Sequence, residues 1–147
     1  MTTGLLALTA AAIFTGVALY VNVAEQPARL TLEDRALLTE WKPSYKRGAA
    51  MQAPLALVGF VLGLMAWWQT AHPGFLIGGI AIVAPWPWTL IGIKPTNDAL
   101  LATEIERAGP PTRELVVKWG VLHGVRTVLG ALATVAYLWA CLSRTVS

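Results

Sequence analysis

Charge is scarce in this chain. Only 13% of its 147 residues are Asp, Glu, Lys or Arg, against roughly 25% in soluble proteins. With 56% hydrophobic residues beside so little charge, an ordinary soluble domain is excluded. The 11 Lys and Arg residues form no dense stripe, which excludes the electrostatic footprint of nucleic-acid binding. The one cysteine, Cys141, cannot close an internal disulfide and offers no metal-ligand spacing. No Gly-rich phosphate loop follows a strand pattern, and no serine lies in the apolar runs to act as a nucleophile. The two histidines, His72 and His123, fall on opposite membrane sides in the topology derived below, so they cannot share a metal. No metal and no cofactor is expected.

What is present is long apolar runs. Four stand out: Gly4–Val23, Ala49–Trp68, Pro73–Ile93 and Val116–Leu142. Each reaches the about 20 residues needed to cross a hydrocarbon core of about 30 Å, and none alternates as a strand would. The expected fold is all-α: one domain over residues 1–147, a polytopic membrane protein with four transmembrane helices in one bundle. The first run lacks a basic n-region and exceeds a typical h-region, so it reads as an uncleaved span. Between the first two runs, Leu32, Ala36, Leu37 and Trp41 have helical spacing, and Thr31 with Asp34 resembles a capping start. That predicts a short amphipathic helix lying on the cytoplasmic face.

The basic residues set the orientation. The connection 24–48 carries Arg29, Arg35, Lys42, Lys46 and Arg47, and the connection 94–115 carries Lys94, Arg107 and Arg113. The N-terminal tail and the turn "QTAHP" carry none, and the C-terminal tail only Arg144. The positive-inside rule places both long loops in the cytoplasm and both termini outside; a bacterial inner membrane is the expected location. Gly59/Gly63, Gly74/Gly78 and Gly120/Gly124 form G-x-x-x-G pairs. Such pairs serve packing within one bundle, or an interface to a homo-oligomer or membrane-complex partner.

The informative feature is "VVKWGVLHGVRTVLGALATVAYLWACL", Val116–Leu142, where His123 and Arg126 interrupt an otherwise lipid-compatible run. An ionisable residue in a span costs about 2.5–3.5 kcal/mol or more and usually faces the bundle interior with a partner. Trp119, His123 and Arg126 fall within about 60° on a helix. Arg126 lies about 6–15 Å below the cytoplasmic surface at the helical rise per residue. The first span ends in "YVNVAEQPARL", which brings Asn22 and Glu25 to the same level before Pro27 stops the helix. Glu25 is then the natural counter-ion for Arg126, and Asn22 a hydrogen-bond partner for His123. "WTLIGIKPTNDALL" brings Thr89 and Asn97, and "WKPSYKRG" returns Trp41, Tyr45 and Arg47. Polar groups from all four helix ends converge on one vestibule. A structural staple explains a Glu25–Arg126 and an Asn22–His123 pair, but does not require the additional Trp, Tyr, Asn and Arg side chains.

"LYVNVAEQPARL", "WKPSYKRG", "PWTLIGIKPTNDALL" and "WGVLHGVRTVLG", in that order, resemble the anthrone oxygenase-like family of small four-helix membrane proteins. The resemblance covers nearly the whole chain. Asn22, Glu25, Pro27, Arg29, Trp41, Tyr45, Arg47, Thr89, Pro95, Asn97, Trp119, His123 and Arg126 occupy its motif positions. It implies four helices, and an oxidation of anthrones by molecular oxygen that some members perform without metal or flavin. In that chemistry His123 is the base, Arg126 the group beside a forming oxyanion, and Glu25 their neutralising or orienting partner. Asn22 and Asn97 are supporting donors; Trp119, Trp41 and Tyr45 stack on the flat substrate; Arg29, Arg47 and Thr89 complete its surroundings. The expected ligand is a hydrophobic aromatic small molecule or a lipid. Two other readings stand beside it: a non-catalytic lipid- or quinone-binding protein, and an accessory subunit of a larger membrane complex.

Overall fold

The computed structural model describes residues 2–143; Arg144 lies outside the described residues. Four long helices account for nearly all of it: α1, Thr2–Leu30; α2, Asp34–Thr70; α3, Pro73–Ala102; and α4, Pro110–Leu142. No strand occurs among the described residues. Each helix is long and apolar enough to cross a membrane, and the chain is an integral membrane protein. The helices form a ring in which α1 and α3 each pack against both α2 and α4.

The residue sizes are sorted as lipid, not water, would sort them. Large apolar side chains such as Leu5, Ile13, Val61, Ile77, Val128 and Val135 point outward. The interior carries Ala7, Ala11, Ala66, Ala133 and Ala140, with Gly63, Gly74 and Gly78 among them. Lipid tails solvate Leu as well as another helix does, so association depends on close backbone approach at small residues. Tyr137 shows how close. It is fully buried, and its hydroxyl donates to the Gly59 carbonyl at 2.8 Å. A Cβ at Gly63 would lie 2.0 Å from the Tyr137 hydroxyl, and one at Gly78 2.5 Å from its ring. The glycine pairs seen in the sequence thus pack within the bundle.

The connection between the first two spans is helical but does not form a separate surface helix. It continues unbroken into the second span as α2. Leu37, Leu38 and Trp41 are fully buried, in a second core with Val21, Ile93, Leu100, Val116 and Trp119. That apolar face had partners in the extended ends of α1, α3 and α4, so it packs there instead of lying on a membrane surface. Nor does Thr31 cap the helix. Its hydroxyl donates to the Ala28 carbonyl, Glu33 takes the N-cap position, and Asp34 pairs with Arg113.

Pro27 does not stop α1. A π-helical turn over Val21–Glu25 precedes it, with the Gln26 amide donating to the Val21 carbonyl, and the helix runs on to Leu30. The third helix repeats the device. A π turn over Thr89–Ile93 is closed by the Lys94 amide on the Thr89 carbonyl, immediately before Pro95. Proline lacks the N–H and crowds the preceding turn; a widened turn just ahead of it relieves that conflict. Such turns often mark functional sites.

Candidate functional site

Both π turns border one cavity of about 440 Å³ at the end of the bundle where the long connections lie. Val21 and Glu25 line it from the first turn and Ile93 from the second. Trp119, His123 and Arg126 line it from α4, and Ser44, Tyr45, Arg47 and Gln52 from α2. Asn97 completes the wall from α3. The volume lies within the about 300–1,000 Å³ usual for small-molecule sites.

His123 is buried and held in one tautomer. Asn22 donates from Nδ2 to the Gly120 carbonyl at 2.9 Å, which orients its amide. Its Oδ1 accepts from the Thr127 hydroxyl at 2.7 Å and lies 2.9 Å from His123 Nδ1. An amide oxygen only accepts, so Nδ1 carries the proton. The other nitrogen, Nε2, keeps its lone pair, and the one hydrogen bond of the ring among the described residues is at Nδ1. The imidazole ring also sits 5.0 Å from the Trp119 ring. Trp119 is in turn held by its Nε1 donating to Asn97 Oδ1 at 2.9 Å.

Arg126 is buried without a carboxylate. Nη2 donates to Gln52 Oε1 at 2.9 Å, Nη1 makes a long 3.4 Å contact with the Thr89 hydroxyl, and Nε has no partner among the described residues. The guanidinium carbon lies 5.8 Å from the Phe14 ring centroid. The expected Glu25–Arg126 pair is therefore absent. Glu25 instead pairs with Arg29, one turn along the same helix, and accepts from the Ser44 hydroxyl. Arg29 also pairs with Glu40 and donates to Gln26 and Ser44. With Arg29 saturated by two acids within its reach, Glu25 is neutralised before it can serve Arg126.

The other expected residues divide. Tyr45, Arg47, Asn97 and Trp119 line the cavity; Asn22 and Arg29 stand behind it and hold lining residues. Thr89 lines a smaller cavity on the far side of Arg126. Trp41 does not reach either one. It is fully buried, with Tyr45 stacked on it at 4.9 Å and 4° between ring planes. Tyr45 occupies the face that a flat ligand would have used. Gln52, Gln26, Ser44, Glu40 and Thr127 were not singled out from the sequence. Gln52 was visible as the one polar residue early in the second apolar run. Ser44 and Glu40 carried no such mark. Among the described residues no cluster of three His, Cys, Asp or Glu side chains stands together.

These features describe a small four-helix membrane protein with a buried imidazole and a carboxylate-free guanidinium on one cavity. The family model described as Anthrone oxygenase matches residues 41–136, more than half of the chain, and the chain belongs to that family. A curated relative, an anthrone oxygenase from Claviceps purpurea (strain 20.1), is 28% identical over 109 residues, covering 66% of this chain and 63% of the relative. The chain thus matches less than two-thirds of that relative's length. No solved structure matches. The relative is fungal and lends no support to a bacterial inner membrane. Asn22, Glu25 and Arg29 precede the residues that the family model matches.

Proposed function

We propose that this protein is a membrane-embedded, cofactor-independent oxygenase acting on a hydrophobic aromatic compound of the anthrone or quinone type. The larger cavity is its site, on the cytoplasmic side. The observation that carries the reading is the pairing of His123, with Nδ1 protonated by its Asn22 contact, and Arg126, with no acid to neutralise it, on one cavity wall.

An anthrone carries an acidic C–H opposite its carbonyl. In this reading His123 Nε2 takes that proton, and the electron pair spreads over the rings to the carbonyl oxygen. A base and a cation beside the developing oxyanion are the two requirements of that step. The resulting anion is electron-rich enough to reduce dioxygen directly, so the reaction needs no further redox group. Trp119 and Tyr45 offer aromatic surface to the rings. Tyr20 and Met51 line the cavity while also lying on the outer surface of the bundle, which supports entry of a poorly soluble substrate from the bilayer. The same feature supports a second reading, a binder of lipid or quinone without turnover.

Oxygen uptake by metal-stripped, purified protein given an anthrone tests the proposal, beside His123→Ala and Arg126→Ala. Uptake above the spontaneous rate, lost in both variants, is expected. No uptake by the wild-type protein with any anthrone, together with a co-purified lipid or quinone, would overturn the oxygenase in favour of the binder.

A further inference from the structure

A second cavity, of about 140 Å³, lies between α2 and α3. Ala53, Ala56, Pro85, Trp86 and Leu90 form most of its wall, and Arg126 closes its inner end. Leu90 is 60% exposed and Trp86 38% exposed on the outer face of the bundle, so the mouth opens where acyl chains lie. Gln52, Thr89 and Arg126 are the polar exceptions in a mostly apolar wall. An apolar cavity of about 150 Å³ takes up benzene or xenon; three fused rings do not fit in such a space. The two cavities share Ala49, Gln52 and Arg126. Gln52 and Arg126, hydrogen-bonded to each other, thus stand with Ala49 between the two cavities. Arg126 is nine-tenths buried, and its Nε has no hydrogen-bond partner among the described residues. The π turn of α3 reaches both sides, with Thr89 and Leu90 on the small cavity and Ile93 on the large one.

We propose that the small cavity binds dioxygen, admitted from the bilayer between α2 and α3, and holds it against Arg126 opposite the aromatic substrate. This rests on the oxygenase reading above. Dioxygen is apolar and small, and it concentrates in hydrocarbon, so a small side cavity walled mostly by apolar residues and open to lipid suits it. One electron passes from the substrate anion to dioxygen, leaving a substrate radical and superoxide with no change in total charge. Because the guanidinium stands between the two cavities, a single cation balances the substrate anion before transfer and superoxide after it. An acid paired with Arg126 would cancel both effects, which gives the missing carboxylate a use.

Two variants fill the cavity without touching the larger one: Ala53→Leu from inside and Leu90→Trp at the lipid-facing mouth, where the fold has least to lose. Their oxygen dependence is measured beside their dependence on the aromatic substrate. A rise in KM for dioxygen of about threefold or more, with kcat and KM for the aromatic unchanged, is expected, because uniform loss of binding raises KM alone. Crystals of the full chain under xenon pressure supply a readout free of turnover: xenon is expected between Ala53 and Leu90 in the wild type and not in the filled variants. Normal turnover with unaltered oxygen KM in both variants overturns the proposal and leaves the oxygenase reading standing. Absence of turnover in the wild type defeats the oxygenase reading instead. In that case xenon seated in the cavity supports a site for a small apolar molecule, and its absence overturns the site as well.

Discussion

Asn22 Oδ1 lies 2.9 Å from His123 Nδ1, across the contact between α1 and α4, while Asn22 Nδ2 is held by the Gly120 carbonyl. The amide cannot turn over without losing the second bond, so the imidazole keeps its proton on Nδ1 and its lone pair on Nε2. The residue that sets the protonation state is on a different helix from the one that carries the imidazole.

Replacing His123 with Ala should lower oxygen uptake by about 10²–10⁴-fold, the usual contribution of a general base. Asn22→Leu should cause a smaller loss, since the base remains but its tautomer is no longer set. Helix content by circular dichroism checks that both variants fold. Asn22→Leu turning over at the wild-type rate would remove the tautomer argument.

The two buried arginines should respond oppositely to removal. Arg29 holds Glu25 and Glu40, and its loss leaves both acids without their cation. Breaking such a pair costs about 3–5 kcal/mol when fully buried; Glu40 is 39% exposed, so Arg29→Met should fall at or below the low end. Thermal unfolding in detergent measures it, and adding Glu25→Gln should restore part of the loss.

Arg126 has no acid to strand. Arg126→Met should therefore leave the melting temperature unchanged or raised, because a buried charge is replaced by an apolar side chain of similar length. Uptake should nevertheless fall by about 10²–10³-fold, the scale for losing one preorganised oxyanion partner. A variant that melts early as well as losing activity would make Arg126 a structural residue first.

The glycines separate in the same way. At Gly63 an added methyl would meet the Tyr137 hydroxyl at 2.0 Å, whereas at Gly16 nothing lies within 4 Å. Gly63→Ala should destabilise by about 1–3 kcal/mol, the range for overpacking. Gly16→Ala should stabilise by about 0.5–1 kcal/mol through higher helix propensity. Unfolding of the two variants side by side measures the difference.

Length and composition were enough for the four spans and their all-α class, because the bilayer demands about 20 apolar residues with internally satisfied backbones. The level of His123, Arg126, Asn22 and Glu25 was legible too, because rise per residue converts position into depth. Which acid met which base was not. Glu25 had Arg29 four residues away on its own helix and Arg126 on another, and spacing along the chain cannot rank a partner across the bundle. The continuation past Pro27 and Pro95 was equally hidden, since a proline reads as a stop and the π turn ahead of it leaves no composition signal of its own. Trp41 was placed at the right level but lies behind Tyr45, four residues along the same helix. The sequence by itself determined that polar groups gather at one end of an apolar bundle, since lipid tolerates them nowhere else unpaired. Only the tertiary structure decided that Arg126 stays without an acid between two cavities, because that depends on Arg29 having already taken both carboxylates within its reach.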